Sequence, residues 1–350
     1  MEQSFSRARL ILLGLLLTLL GVGLWAYHGV GNSLRDIRAT GLRTLLNTQV
    51  GTLEQWIAER RHEAEQLAAD DELRPQMLRL ALGREGSATR IAHILLDKAA
   101  SIGITAVLLV APDGRILAAS EAERVGTRVS ADFLAHMTTA LRGTSGFIRP
   151  YVSLSGGQRI LSRTWMTSPV RRTDGKVLAV LALGSPVDKG FAPLFMVARL
   201  GQSGEALAFD AEGWLLSPSR NATELIQRDL AARLVLPSGD QATPLARQAI
   251  AARNQGGEGQ LLDPYESYLG REVIGTWRWL PELDIGVAIE IEASEAYAPL
   301  VYLQVGFVVV LVLLFAVWMA GFLSPETLPT LLGRGPNGRQ MGPYRLLRQI

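Results

Sequence analysis

Two uncharged apolar runs decide most of what this chain can become. They are "LILLGLLLTLLGVGLWAY", Leu10–Tyr27, and "VGFVVVLVLLFAVWMAGFL", Val305–Leu323. Each is about 18–19 residues, close to the roughly 20 that carry a helix across a ~30 Å hydrocarbon core. The first run exceeds the usual h-region of a cleaved signal, about 7–15 residues, and no A-x-A site follows it, so it reads as a retained anchor. Arg7 and Arg9 precede the first run; Arg334, Arg339, Arg345 and Arg348 follow the second. The positive-inside tendency then sets both ends in the cytoplasm. The predicted layout is a cytoplasmic N-terminus (1–9), a first span (10–28), an extracytoplasmic region (29–299), a second span (300–323) and a cytoplasmic linker (324–341). That is a two-pass protein of the cell (inner) membrane, with the lipid bilayer as a partner.

Several function classes fall away. The net charge is only +2 over 350 residues, so no nucleic-acid partner is expected. With no cysteine, disulfides, thiol nucleophiles and thiolate metal sites are excluded. His28, His62, His93 and His136 share no short ligand spacing, so no metal and no cofactor is expected. "GQSGE" around Ser203 lacks the second glycine of a nucleophile elbow. "GRGPNG" (Gly333–Gly338) spells a phosphate-loop pattern but has a proline-rich stretch before it and no helix after it, so it reads as linker. No catalytic residue is assigned, and residues 1–350 by themselves are expected to be enzymatically inactive.

Between the runs the chain is first helical and then β. Leu34, Ile37, Leu45, Leu46, Val50, Leu53, Trp56, Ile57 and Leu67 recur at mostly three- and four-residue steps, predicting a stalk helix over 33–70. A second helix is predicted from Ala88 to Ala100. Beyond it one device occurs twice, about 100 residues apart. "LLVAPDGRILAAS" and "LAFDAEGWLLSPS" each join two apolar strands through an acidic-Gly turn, Asp113-Gly114 and Glu212-Gly213. Each hairpin is followed by a helical piece and three strand-like segments. The pattern predicts an α+β fold with two repeated modules, about 88–190 and 200–293, each built on a five-stranded antiparallel sheet.

"LEQWIAERRHEAEQLA", "SPVRRTDGKVLAVLAL", "GQSGEALAFDAEGWLLSPS" and "GTWRWLPELDIGVAIEIEASEAYAPL", in that order, resemble the double Cache sensor over roughly residues 30–300. That resemblance implies a long stalk helix, a membrane-distal and a membrane-proximal PAS-like module, and extracytoplasmic recognition of a small molecule, usually in the distal module. It also implies that the signal passes through the membrane helices. At the other end, "GPYRLLRQI" (Gly342–Ile350) resembles the first strand of a Hanks-type serine/threonine protein kinase. On that reading the chain ends one strand into its output domain. A nucleotide cyclase, chemoreceptor or histidine kinase are the alternative outputs; an extracytoplasmic binding or adhesion protein without output is a further alternative. Ser324-Pro325 and Pro329 interrupt a continuing helix, which tells against the chemoreceptor and histidine kinase forms.

The candidate ligand residues lie in "FIRPYVS" and "ILSRTWM". If both segments are strands, Arg149 and Tyr151 share one face, as do Arg163 and Trp165. An arginine beside aromatic rings suits a carboxylate-bearing small molecule, the guanidinium forking onto the acid while a ring covers the apolar part. Amino-acid-binding Cache modules carry an Arg-x-Trp-Tyr run of this kind. Met166 and the Leu183-Gly184 pair depart from that pattern where a tyrosine and an acid would stand. The sustained stalk stripe also predicts a homodimer through this helix.

Overall fold

The computed structural model describes residues 2–322, apart from 85–86, 156–157, 198–200, 229, 231 and 240. The predicted linker and the kinase-like stretch therefore lie outside the described residues. The chain divides into two compact units, residues 35–297 and residues 1–34 with 298–350. One helix, α1 (Glu2–Ala69), contains the Leu10–Tyr27 run and all but the last residue of the predicted stalk.

The larger unit continues from α1 into α2 (Leu73–Ala81) and α3 (Ala88–Ala99), the latter capped by the Ser87 hydroxyl accepting from the Arg90 N–H. The distal module then runs β1 (Ala106–Val110), β2 (Ile116–Ala119), α4 (Ala131–His136), α5 (Thr138–Leu141), β3 (Gly146–Ile148), β4 (Val152–Ser155), β5 (Gln158–Leu161), β6 (Thr164–Arg171) and β7 (Val177–Ser185). Its sheet has five antiparallel strands in the order β2-β1-β7-β6-β3, with β4 and β5 forming a separate hairpin. Gly114 supplies the positive φ of the β1–β2 turn, as the Asp-Gly pair predicts.

The proximal module follows α6 (Ala192–Val197). It comprises β8 (Glu205–Phe209), α7 (Ala222–Gln227), α8 (Pro244–Ala251), β9 (Glu258–Glu266), β10 (Glu272–Leu280) and β11 (Ile285–Glu292), ending in α9 (Ala293–Ala296). Its sheet has four strands, β8-β11-β10-β9, where the sequence predicts five. The stretch after Gly213 makes only isolated bridges, Phe209 to Leu215 and Trp214 to Arg233. The reason is local. The Ser217 hydroxyl takes the Ala208 N–H at 2.9 Å, a donor a full strand would have used, and Pro218 brings no N–H of its own.

Alternation along the strands sorts the apolar residues onto two faces. Ala179, Leu181 and Leu183 of β7 and Val287, Ile289 and Ile291 of β11 join Leu42, Leu46, Leu53 and Ile57 of α1 in one core. Leu46, Val50, Leu53 and Ile57 of the stalk stripe are therefore buried within the chain against both sheets, whereas Ile37 is exposed. Each buried Val, Leu or Ile of this set contributes about 1.5–3 kcal/mol relative to exposure. The opposite face of the distal sheet buries Phe133, Met137, Ile148 and Trp165; that of the proximal sheet buries Leu245, Trp277 and Trp279 beneath α8.

The smaller unit holds α10 (Ala298–Phe322). Among the described residues one stretch is long and apolar enough to cross a membrane, Ala298–Ala316, with a mean hydropathy of 2.5 and none of it buried.

Candidate ligand-binding site

The four candidate residues do not sit as two same-face pairs on strands. Arg149 and Tyr151 occupy the connection between β3 and β4, where Pro150 cannot donate to a ladder. Arg163 lies just before β6, and only Trp165 is within a strand. Period-two alternation consequently relates none of them to its partner.

Trp165 is 6% exposed. Its ring meets Phe133 edge-on, with centroids 5.3 Å apart and an interplanar angle of 79°. It also covers Gly184, where a Cβ would stand 2.8 Å from the ring. The glycine at that point of β7 is what lets the indole lie flat on the sheet. Tyr151 is half-buried and stacks on His136 of α4 at 6.3 Å. Burial raises its hydroxyl pKa above the usual tyrosine value, the Asp132 charge adding and Arg124 opposing.

Arg149 ties the distal module to the proximal one. Its Nη2 donates to Asp284 Oδ2 at 3.0 Å, and its Nη1 stands 3.9 Å from Asp210 Oδ2. Asp284 occupies the β10–β11 turn with φ 52°, and Asp210 the turn after β8. The Asp210 side chain is 6% exposed. Burial raises its carboxyl above the usual range, although the Trp214 N–H and the Arg149 charge favour the ionised form.

Arg163 opens onto a cavity of about 780 Å³ shared by the two modules. This volume lies within the roughly 300–1,000 Å³ of small-molecule sites. Leu161 and Val187 wall it from the distal side, Leu215, Ser219 and Leu225 from the proximal side. Trp214 stands in the wall too, with the Arg233 guanidinium 5.3 Å from its ring centroid. At the rim Arg163 Nη1 is 3.4 Å from Glu121 Oε1, both side chains about 40% exposed. A surface pair of this kind is worth about 0–1 kcal/mol, so an incoming carboxylate can replace Glu121 as the partner of Arg163.

Sequence reasoning finds Arg163 but misses the rest of this cavity. Residues 214–232 read as a strand and a loop, and nothing in their spacing announces that they stand opposite Leu161 and Arg163. The one signal is "LLSPSRN", whose proline and serines do not suit a fifth strand.

No protein-family model and no curated protein matches the chain. Among solved structures that match is the sensor domain of the Vibrio cholerae histidine kinase DctB, 15% identical, covering 72% of this chain and 98% of that one, with a TM-score of 0.46. The sensory domain of the Campylobacter jejuni chemoreceptor Tlp3 with isoleucine bound is 16% identical, covering 76% and 96%, with a TM-score of 0.49. The ligand-binding domain of the Pseudomonas aeruginosa amino-acid chemoreceptor PctB in complex with L-Arg is 17% identical, covering 76% and 92%, with a TM-score of 0.46. Element order and sheet registers independently give this chain the arrangement that the double Cache resemblance implies: one long helix followed by two antiparallel sheets.

Proposed function

We propose that the chain is the input half of a membrane receptor. Its extracytoplasmic region binds a small molecule with an apolar body and a carboxylate in the cavity between the two modules. Arg163 takes the carboxylate, and Leu161, Val187, Leu215 and Leu225 enclose the apolar part. The observation that carries this reading is an exchangeable arginine at the mouth of a mostly apolar cavity large enough for a metabolite. Both spans cross the membrane in this reading, with residues 29–299 outside and both ends inside. The output is a serine/threonine protein kinase beginning at Gly342.

Ligand binding would alter how the distal and proximal modules meet, since the cavity wall belongs to both. Homodimerisation, where it occurs, uses the exposed side of α1 around Gly41, Thr48 and Gly51, because the Leu42–Ile57 stripe is spent on the sheets.

The test is a thermal-shift screen of small monocarboxylic acids on the purified full chain in detergent, with wild type and Arg163→Ala side by side. A ligand that stabilises wild type should lose at least tenfold in affinity in the variant, from about 2–5 kcal/mol for losing one partner of a partly desolvated charge pair. Arg163→Lys should also be weakened, because an ammonium cannot fork onto a carboxylate. A ligand that stabilises wild type and Arg163→Ala equally would remove Arg163 from the site.

A further inference from the structure

One row across the α8-covered face of the proximal sheet breaks its apolar pattern. Gly275 of β10 is opposite Glu290 of β11, which is opposite Glu205 of β8. Residues directly opposite in antiparallel strands share a face, so the two carboxyls are neighbours inside the module. Glu205 is 7% exposed and Glu290 2%. Gly275 makes room for them. A Cβ there would lie 2.7 Å from the Tyr265 hydroxyl, which crosses that space and donates to Glu290 Oε1 at 2.7 Å.

The hydrogen bonds around Glu205 pose a proton-counting problem. The Tyr268 hydroxyl donates to Oε1 at 2.5 Å, and the Ser219 hydroxyl donates to Oε2 at 3.2 Å. The two hydroxyl oxygens are themselves 2.7 Å apart. An ionised Glu205 only accepts, so the two hydroxyls bring two protons to three contacts and one contact is left with lone pairs facing each other. A protonated Glu205 supplies the missing proton. Each of the three groups then donates once and accepts once around a closed ring.

We propose that Glu205 and Glu290 form a proton-binding pair, which holds a proton in the folded proximal module at acid to neutral pH and makes the module less stable as that proton is lost. Burial pushes Glu290 up to about 7, with the neighbouring Glu205 adding to the effect. Burial raises Glu205 as well. Against an ordinary 4.5, a value near 7 means a roughly 300-fold tighter hold on the proton in the folded chain.

Among the described residues one cation acts on the pair, Arg220, whose charge favours an ionised Glu205 but is outweighed by burial. From β9 comes Tyr265, from the turn after it Tyr268, and from α8 only the apolar Leu245. From the segment after β8 come Ser219 and the Arg220 backbone N–H, the latter donating to Glu205 Oε2 at 3.1 Å. The Arg220 guanidinium donates to the Gly201 and Gly204 carbonyls, and Arg271, at the rim, pairs with Glu224 and Glu292. Tyr265 and Tyr268 are both raised above the usual tyrosine range by burial and by these glutamates, so they remain proton donors throughout.

The direction of the pH effect follows. A carboxyl raised on folding binds more protons in the folded than in the unfolded state at intermediate pH, so stability falls as pH rises from about 4.5 to about 7 and stays low above it. Along the chain, β11 leads through α9 into the apolar helix α10, so Glu290 lies on the strand that runs on into that helix and Glu205 on its neighbour β8.

The experiment is thermal unfolding of the full chain in detergent between about pH 5 and about pH 8.5, bracketing the value near 7. Wild type, Glu205→Gln, Glu290→Gln and the double variant are compared. Wild type should lose several degrees of midpoint across that range; each glutamine, which mimics the protonated acid, should reduce the loss, and the double variant should remove it. Tyr265→Phe should move the fall to higher pH, since the lost hydrogen bond favours the charged form. A double variant that falls as steeply as wild type overturns the proposal. Should the variants fail to fold, infrared spectra of folded wild type decide. A protonated-carboxyl band at about pH 6 that disappears above neutrality supports the pair, and no such band overturns it.

Discussion

Replacing Trp165 with alanine separates a core ring from a ligand-facing ring. The indole is 6% exposed, meets Phe133 edge-on and lies against Gly184, a position with no side chain to collapse into the space left behind. Truncating a buried Trp costs about 3–5 kcal/mol, and poor relaxation favours the upper half of that range. For a unit spanning residues 35–297, each kcal/mol lowers the melting temperature by about 2–4 °C. Trp165→Ala should therefore melt roughly 10 °C or more below wild type, with no ligand present. The assay is far-ultraviolet circular dichroism of the purified full chain during heating. A Gly184→Ala variant is the companion, because its methyl would enter the space of the same ring and should destabilise without removing any aromatic group. A Trp165→Ala protein that melts within about 2 °C of wild type, yet loses its response to acids that stabilise wild type, would refute the packing argument.

Other outcomes follow from the same geometry. Arg149→Met should destabilise by about 1.5–3 kcal/mol, the range for hydrogen bonds to charged groups, with the loss larger at neutral than at acid pH. The sign follows from Asp210, whose carboxyl is already raised by burial; removing Arg149 raises it further, so stability drains away as pH climbs through that value. Urea titrations of both proteins at two pH values would check it, and a loss independent of pH would contradict it. Glu121→Gln should tighten binding of an anionic ligand by up to about fivefold, because a competing surface pair worth at most ~1 kcal/mol is gone; calorimetric titration showing unchanged or weaker affinity would remove the exchange step. Reporter fusions at Gly31 and Gly257 should report the outside and one at Gly338 the inside, and an inside signal from Gly257 would end the two-pass reading.

Local chemistry made much of the fold legible in advance. The helix predicted over 33–70 is the second part of α1 and the one predicted from Ala88 to Ala100 is α3, each ended one residue earlier. Asp113-Gly114 forms its hairpin because glycine takes a φ that other residues resist. Glu212-Gly213 uses the same glycine conformation, but its second strand fails, since a serine hydroxyl outcompetes the ladder and a proline follows. The short helices α2, α6 and α7 escaped notice because six to nine residues hold too few turns to show a period.

The site was less legible, and for a physical reason. Periodicity tells which residues share a face, and composition tells that two long apolar runs must leave water. Neither says what covers a face once it exists. Arg149 could be named as a cation worth watching, but its partner Asp284 stands 135 positions away. Glu205 and Glu290 look like ordinary strand carboxylates until the β8–β11 register sets them side by side beneath α8. The long helices, the acidic-Gly turns and the apolar runs could be read from the chain, because they depend on neighbours within a few residues; the four-stranded proximal sheet could not. Tertiary structure alone decided that Trp165 is core, that Arg163 guards a cavity and that two acids share an interior. Those outcomes depend on which strands pair and what packs over them, and that is settled by the burial of the whole unit rather than by any local stretch.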